Sequence, residues 1–169
     1  MGKKNIIFYF SDQQRWDTVN EEVTPNLCEL AKEGIKYENN FTCQPVCGPA
    51  RACLQTGVYA TQCGCYWNGI PLPSDIPPLA HYFNEAGYET AYIGKWHLAS
   101  NRLPGIGLHC ESTAIPKNKQ GEYQYFRGAD VLEFTSNATH MQQVCNKDID
   151  MYSCLLYTSP SPRDRTRSR

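Results

Sequence analysis

The chain opens with a nearly unbroken apolar run from Asn5 to Phe10, Ile6-Ile7-Phe8-Tyr9-Phe10. Such a run fits a strand covered on both faces of a parallel sheet. It gives way to the polar segment Ser11-Asp12-Gln13-Gln14-Arg15. Leu27, Leu30 and Ala31 then recur at helical spacing behind Thr24-Pro25. Thr24 suits an N-cap, Pro25 the first helical position and Gly34 a stop, so a packing helix is predicted there. Extended chain from Ile35 to Thr42 leads to a second helix, from Cys47 to about Gln55, with Pro49 in its first turn and Gly57 as its stop. A Gly- and Cys-containing loop follows, to about Pro73. Asp75 to Gly87 reads as a third helix: Asp75 caps, Pro77 and Pro78 suit its start, and Leu79, Phe83 and Ala86 share a face. Tyr88 to Ile93 is rich in strand formers. Ala99 to Gly121 is rich in Pro, Gly and Asn and reads as a loop, with short extended segments at Tyr123 to Phe126 and Val131 to Phe134. The pattern predicts an α/β fold whose sheet is mostly parallel and flanked by helices.

Composition narrows the function classes. With 169 residues the chain can build one domain with a core. A net charge of −1 gives no electrostatic case for nucleic acid or an anionic membrane. No apolar run approaches the roughly 20 residues of a membrane span. Met1-Gly2-Lys3-Lys4 and the run behind it mimic a signal peptide weakly. The apolar part is shorter than the roughly 7–15 residues expected, and no small-residue cleavage site follows. The expectation is a cytoplasmic protein of bacterial type. Nine cysteines is a high and odd count, but Cys63-Gly64-Cys65 lacks a second pair at zinc spacing. Without an export signal, reduced thiols are expected. A non-catalytic, Cys-rich metal-binding module is an alternative of another class. His109-Cys110 is a further ligand pair, weak because it stands alone. Tyr59, Tyr66 and Trp67 read as packing residues with a polar edge before they read as the lining of a substrate mouth. His81, on the third helix, reads as structural, with no partner legible in the sequence.

The chemistry concentrates in Cys43-Gln44-Pro45-Val46-Cys47-Gly48-Pro49-Ala50-Arg51-Ala52-Cys53-Leu54-Gln55-Thr56-Gly57. A lone Cys here would read as a buried core thiol. The pattern Cys47-x-Pro49-x-Arg51, followed by Thr56-Gly57, changes that. It places a nucleophile at a helix N-terminus, where free N–H groups and the dipole favour anions. Arg51, four residues on, falls on the same helical face. Its guanidinium suits holding a reacting anion. This stretch resembles the signature of the type I sulfatases, members of the alkaline-phosphatase-like superfamily. The Thr24-Pro25-Asn26-Leu27 approach and Gln44-Pro45-Val46-Cys47 agree with it too.

That resemblance implies a formylglycine made from Cys47 by a sulfatase-maturing enzyme, which reads the short motif on an unfolded chain. An ordinary thiol is a poor catalyst for sulfate esters; a hydrated aldehyde carries two hydroxyls on one carbon, one to attack and one to expel sulfate later. A second block, Gly87-Tyr88-x-Thr90-x-x-x-Gly94-Lys95-Trp96-His97, resembles the second sulfatase signature. In extended chain Lys95 and His97 point the same way. By resemblance Lys95 binds the sulfate and the nucleophile region, and His97 contacts sulfate or assists proton transfer. Asp12 and Gln13 stand where the family carries a pair of acidic metal ligands, next to Cys47 in the implied metal set. Gln13 departs from the commoner acid, though its carbonyl oxygen still suits a hard divalent cation such as Ca²⁺, with Mg²⁺ or Mn²⁺ as alternatives. Asp-Gln also resembles relatives acting on phosphonate monoesters, phosphodiesters or choline sulfate.

The implied protein is a sulfuric ester hydrolase acting on a sulfate-ester small molecule or sulfated glycan. The resemblance covers residues 5–150, the N-terminal part of a catalytic domain taken here as 1–153. The tail from 154 to 169, Cys154-Leu155-Leu156-Tyr157-Thr158-Ser159-Pro160-Ser161-Pro162-Arg163-Asp164 and onwards, resembles a translated sequencing adapter and is expected to be non-native and disordered. The family's remaining metal ligands are not identifiable, so these residues alone are expected to be inactive. Asn40-Phe41-Thr42 and Asn137-Ala138-Thr139 match the glycosylation triplet, which matters only in a secreted eukaryotic chain.

Overall fold

The structure is a computed structural model that describes residues 2–99 and 115–130. The described residues fall into two compact units, one within Met1–Phe41 and one within Thr42–Arg169. Expectations at His109-Cys110, Val131 to Phe134, Asn137-Ala138-Thr139 and the tail lie outside the described residues. No helix among the described residues is long and apolar enough to cross a membrane.

In the first unit the helix behind Thr24 forms as α1, Pro25–Glu33, with Pro25 in its first turn and Gly34 as its C-cap. Thr24 caps differently from expectation. Its hydroxyl donates backwards, to the Thr18 carbonyl at 3.0 Å, and makes no cap bond to the helix. Asn20 organises this approach, its Oδ1 accepting from the N–H groups of Glu22 and Val23 at 3.0 and 2.9 Å.

The apolar run is a correction. Asn5 to Phe10 forms no strand, and its side chains are exposed, Ile7 by 92% and Phe8 by 65%. Apolarity states a preference for burial but supplies no ladder partner. A parallel strand needs a neighbour at about 4.8 Å for its backbone groups. Among the described residues the only ladder lies elsewhere, in the second unit.

The second unit is built around α2, Cys47–Thr56. Gly57 ends it in the left-handed conformation (φ 73°), returning its N–H to the Cys53 carbonyl at 2.8 Å. Only Gly takes that conformation without a Cβ penalty. Thr56 closes the same end: its hydroxyl donates to the Ala52 carbonyl at 2.7 Å and accepts from the Val58 N–H at 3.4 Å. The Gly- and Cys-containing loop proves to hold a one-turn helix, α3, Ala60–Cys63, boxed by the side chains of Tyr59 and Gln62. The third predicted helix starts late. α4 is Leu79–Glu85 with Pro78 as its N-cap, because Pro77 and Pro78 hold the preceding chain extended. α2 packs against α3 and α4.

The predicted strand at Tyr88 slides forward to β1, Ala91–Lys95, since Gly87 (φ 72°) and Tyr88 are used in ending α4. β2, Tyr125–Ala129, runs parallel to it in the register Ala91↔Tyr125 through Lys95↔Ala129. The architecture is α/β, a parallel sheet with helices. Its core gathers Ala52, Cys63, Cys65, Trp96, Leu98 and Ile115. Around Trp96 the rings of Tyr92, Tyr123 and Phe126 pack edge-on at 4.9, 6.2 and 5.5 Å between centroids. Each such pair adds about 0.5–1.5 kcal/mol beyond its area.

Candidate active site

Two polar segments meet where α2 docks on the end of β1. Cys47 is the first residue of α2 and half-buried. One turn on, Arg51 is buried at 7% exposure. Its Nη1 donates to the Lys95 carbonyl at 2.6 Å and reaches the Tyr92 hydroxyl at 3.4 Å. The Tyr92 hydroxyl donates to that same Lys95 carbonyl. Lys95 is the last residue of β1 and half-buried. The chain then passes through Trp96 to His97, which is 1% exposed.

His97 departs from the extended geometry expected of it. Its φ is 58°, a left-handed conformation unusual for a residue with a Cβ. Lys95 and His97 therefore do not alternate along a straight strand; the chain turns between them. The turn carries the His97 carbonyl towards α2, 3.6 Å from the point a Cβ on Gly48 would occupy. A left-handed non-Gly residue costs on the order of 1–3 kcal/mol and persists where surrounding structure over-determines it. Here the neighbours Trp96 and Leu98 are both buried and pin the turn.

The start of α2 is held from a distance. Val46, its N-cap, makes no side-chain cap. Asn68 Oδ1 accepts the Gly48 N–H at 2.8 Å instead, and Gln44 Nε2 donates to the Tyr66 carbonyl at 2.8 Å. Asn68, Gln44 and Tyr92 are contributors that sequence reasoning passed over. Asn68 lies 20 residues from Gly48, so no local spacing signals it.

Beyond His97, Asp130 is 2% exposed and its Oδ1 accepts the Ala99 N–H at 2.9 Å. Lys119 Nζ donates to the Ala99 carbonyl at 3.1 Å. Burial pushes the Cys65 thiol up to about 12, with Cys63 adding to it. Burial also raises Cys53 to about 12, followed by its hydrogen bond with Cys43. His81 has a partner after all: its Nδ1 lies 2.8 Å from Glu122 Oε2, and this contact raises its pKa.

Asp12 and Gln13 belong to the first unit. Both are exposed, and Gln13 has φ 57°. They follow an irregular segment rather than the carboxyl end of a strand, which corrects their expected setting. A carboxylate and an amide oxygen side by side suit a hard cation in kind. In number they fall short, since Ca²⁺ takes about 6–8 oxygen ligands. Among the described residues no three His, Cys, Asp or Glu side chains converge as a metal-ligand group.

The sulfatase family model matches residues 4–145 of the chain. The chain is 39% identical over 137 residues to the uncharacterized sulfatase YidJ of Escherichia coli (strain K12), covering 78% of this chain and 26% of that one. It is 35% identical over 133 residues to an ulvan-active sulfatase of Formosa agariphila, covering 76% and 24%. An N-acetylglucosamine-6-O-sulfatase of Bacteroides thetaiotaomicron is 28% identical over 176 residues, covering 95% and 31%. Among solved structures, the crystal structure of Ps i-CgsB matches with a TM-score of 0.52 at 26% identity, covering 76% of this chain and 29% of that one. The chain thus spans between 24% and 31% of the length of these curated relatives.

Proposed function

The chain belongs to the sulfatase family, and we propose that it carries the nucleophile-bearing part of a sulfuric ester hydrolase. The observation that supports this most is the bond from Arg51 Nη1 to the Lys95 carbonyl at 2.6 Å. It joins the helix that begins at Cys47 to the strand end bearing Lys95 and His97, so two motifs remote in sequence share one location.

In this reading Cys47 is converted to formylglycine by a maturing enzyme, and its hydrate supplies the hydroxyl that attacks sulfur. Arg51 and Lys95 offset negative charge as the ester oxygen departs. His97 binds the sulfate or carries a proton. By the family resemblance Asp12, Gln13 and residue 47 would each offer a ligand to a divalent cation, Ca²⁺ before Mg²⁺ or Mn²⁺, which would polarise the ester. The substrate class is a sulfate ester, small or on a glycan. A phosphonate monoester or phosphodiester is the second reading, favoured by Gln13 in place of a second acidic ligand. The activity is proposed for the complete enzyme, and the 169-residue chain by itself is expected to be inactive.

The test is to coexpress the chain with a sulfatase-maturing enzyme and weigh the peptide containing Cys47. A formylglycine mass, absent in Cys47→Ala, is the expected result. An unmodified thiol, with an authentic sulfatase converted alongside, would overturn the nucleophile. Turnover of matched aryl sulfate and aryl phosphonate by the complete enzyme then separates the two substrate classes.

A further inference from the structure

We propose that Asn68 is a positioning residue for the Cys47 side chain, acting by capping the N-terminus of α2 from across the fold. Its catalytic meaning rests on the reading of Cys47 as the nucleophile; its geometry does not.

The first N–H groups of a helix have no intrahelical partners. Valine at the N-cap has no side-chain acceptor to offer them. Asn68 supplies one, its Oδ1 accepting from the Gly48 N–H at 2.8 Å. That N–H lies in the same rigid peptide plane as the Cys47 carbonyl. Fixing the plane fixes rotation about the Cys47 Cα–C bond, and with it the direction in which the Cys47 Cβ leaves the helix. A second tie sits on the other side of Cys47, from Gln44 Nε2 to the Tyr66 carbonyl at 2.8 Å. The segment Tyr66 to Asn68 therefore grips the nucleophile turn both before and after residue 47.

The grip has a firm base. Cys65 is fully buried, with its thiol donating to the Ile70 carbonyl at 3.2 Å. The Leu72 N–H donates to the Leu98 carbonyl at 2.8 Å, one residue beyond His97. Position 48 is shaped around the cap. A Cβ there would lie 2.9 Å from Asn68 Oδ1 and 3.5 Å from Asn68 Cα. Gly at 48 and Asn at 68 thus form one device, which lets the amide side chain approach the helix start end-on.

Amide hydrogen exchange on the full chain tests this, comparing wild type with Asn68→Leu and Asn68→Asp. In Asn68→Leu the Gly48 amide should exchange roughly tenfold faster, while the Gly57 amide at the far end of α2 keeps its rate. Asn68→Asp keeps the acceptor and should restore protection. An unprotected Gly48 in wild type overturns the cap. So does equal acceleration of Gly48 and Gly57, which would mean general loosening. In the complete enzyme, at formylglycine content equalised by mass, Asn68→Leu should lower kcat for an aryl sulfate by about tenfold to a hundredfold with KM little changed. A raised KM at unchanged kcat would overturn positioning. A wild-type enzyme that fails to turn over sulfate would instead overturn the hydrolase reading, leaving the cap to be judged by exchange.

Discussion

Arg51 and Lys95 meet backbone-first: the guanidinium of one donates to the main-chain carbonyl of the other at 2.6 Å. The lysine side chain is not part of that bond. A residue that the motif presents as chemistry is thus also a clamp between α2 and the end of β1. Its burial at 7% exposure makes the clamp matter, because a charged donor away from water needs its acceptor.

Replacing Arg51 with Ala should therefore lower stability as well as any activity. Hydrogen bonds to charged groups contribute about 1.5–3 kcal/mol. The Tyr92 hydroxyl still serves the Lys95 carbonyl, which places the cost near the lower end, about 2 kcal/mol. The shift of the urea midpoint at constant m measures it; an unmoved midpoint would show that the clamp carries no load.

Gly48→Ala should act through Asn68. The added methyl meets Asn68 Oδ1 at 2.9 Å, so the side chain must withdraw and the cap be lost. Losing a cap costs about 0.5–2 kcal/mol. Pairing Gly48→Ala with Asn68→Ala in a double-mutant cycle should give strong non-additivity, the double variant being no worse than either single one. Simple addition of the two effects would refute the coupling.

His81 offers a pH signature. Its hydrogen bond with Glu122 is the first cause of a raised pKa, followed in the same direction by the charges of Glu122 and Glu85. The stabilisation is fully present below the ordinary histidine value of 6.5 and fades as pH climbs through the raised native value. An NMR titration of the His81 ring should show a midpoint above 6.5 that falls back in Glu122→Gln. A midpoint indifferent to that substitution would discard the pairing.

The thiols of Cys53 and Cys65 should resist alkylation at pH 8 in the folded chain, because burial holds both near 12. Iodoacetamide labelling followed by mass mapping should find them protected and, after urea, fully modified. The sign of the linkage follows. From about 9 upwards the unfolded thiols ionise while the native ones do not, so stability falls as pH rises from 9 towards 12. Rapid native labelling of Cys65 would contradict its burial.

Local signals are legible in this sequence and long-range ones are not. α2 starts at Cys47 and stops at Gly57, where the motif, the Pro and the Gly put it, since caps and breakers act within one turn. α1 forms for the same reason. The Pro77-Pro78 pair set the start of α4 later than an Asp75 cap implied. At Asn5 to Phe10 the apolar run expresses burial preference alone, and pairing depends on residues far away in sequence. The site divides along the same line. Cys47, Arg51, Lys95 and His97 stood out as candidates through motif spacing, but Asn68, whose partner is 20 residues distant, did not. Nor did the left-handed turn at His97, which lies between the buried Trp96 and Leu98.

The 44-residue separation between Arg51 and its acceptor on Lys95 also sets a clock. At roughly 5–20 residues per second of synthesis, Arg51 leaves the ribosome about two to nine seconds before Lys95 can receive it. During that interval the Arg51 guanidinium has no Lys95 carbonyl to dock on. On the formylglycine reading proposed above, a maturing enzyme would have that interval in which to act on residue 47. Slowing translation between codons 57 and 95 should lengthen it, and raise the modified fraction, without touching a single contact of the finished fold.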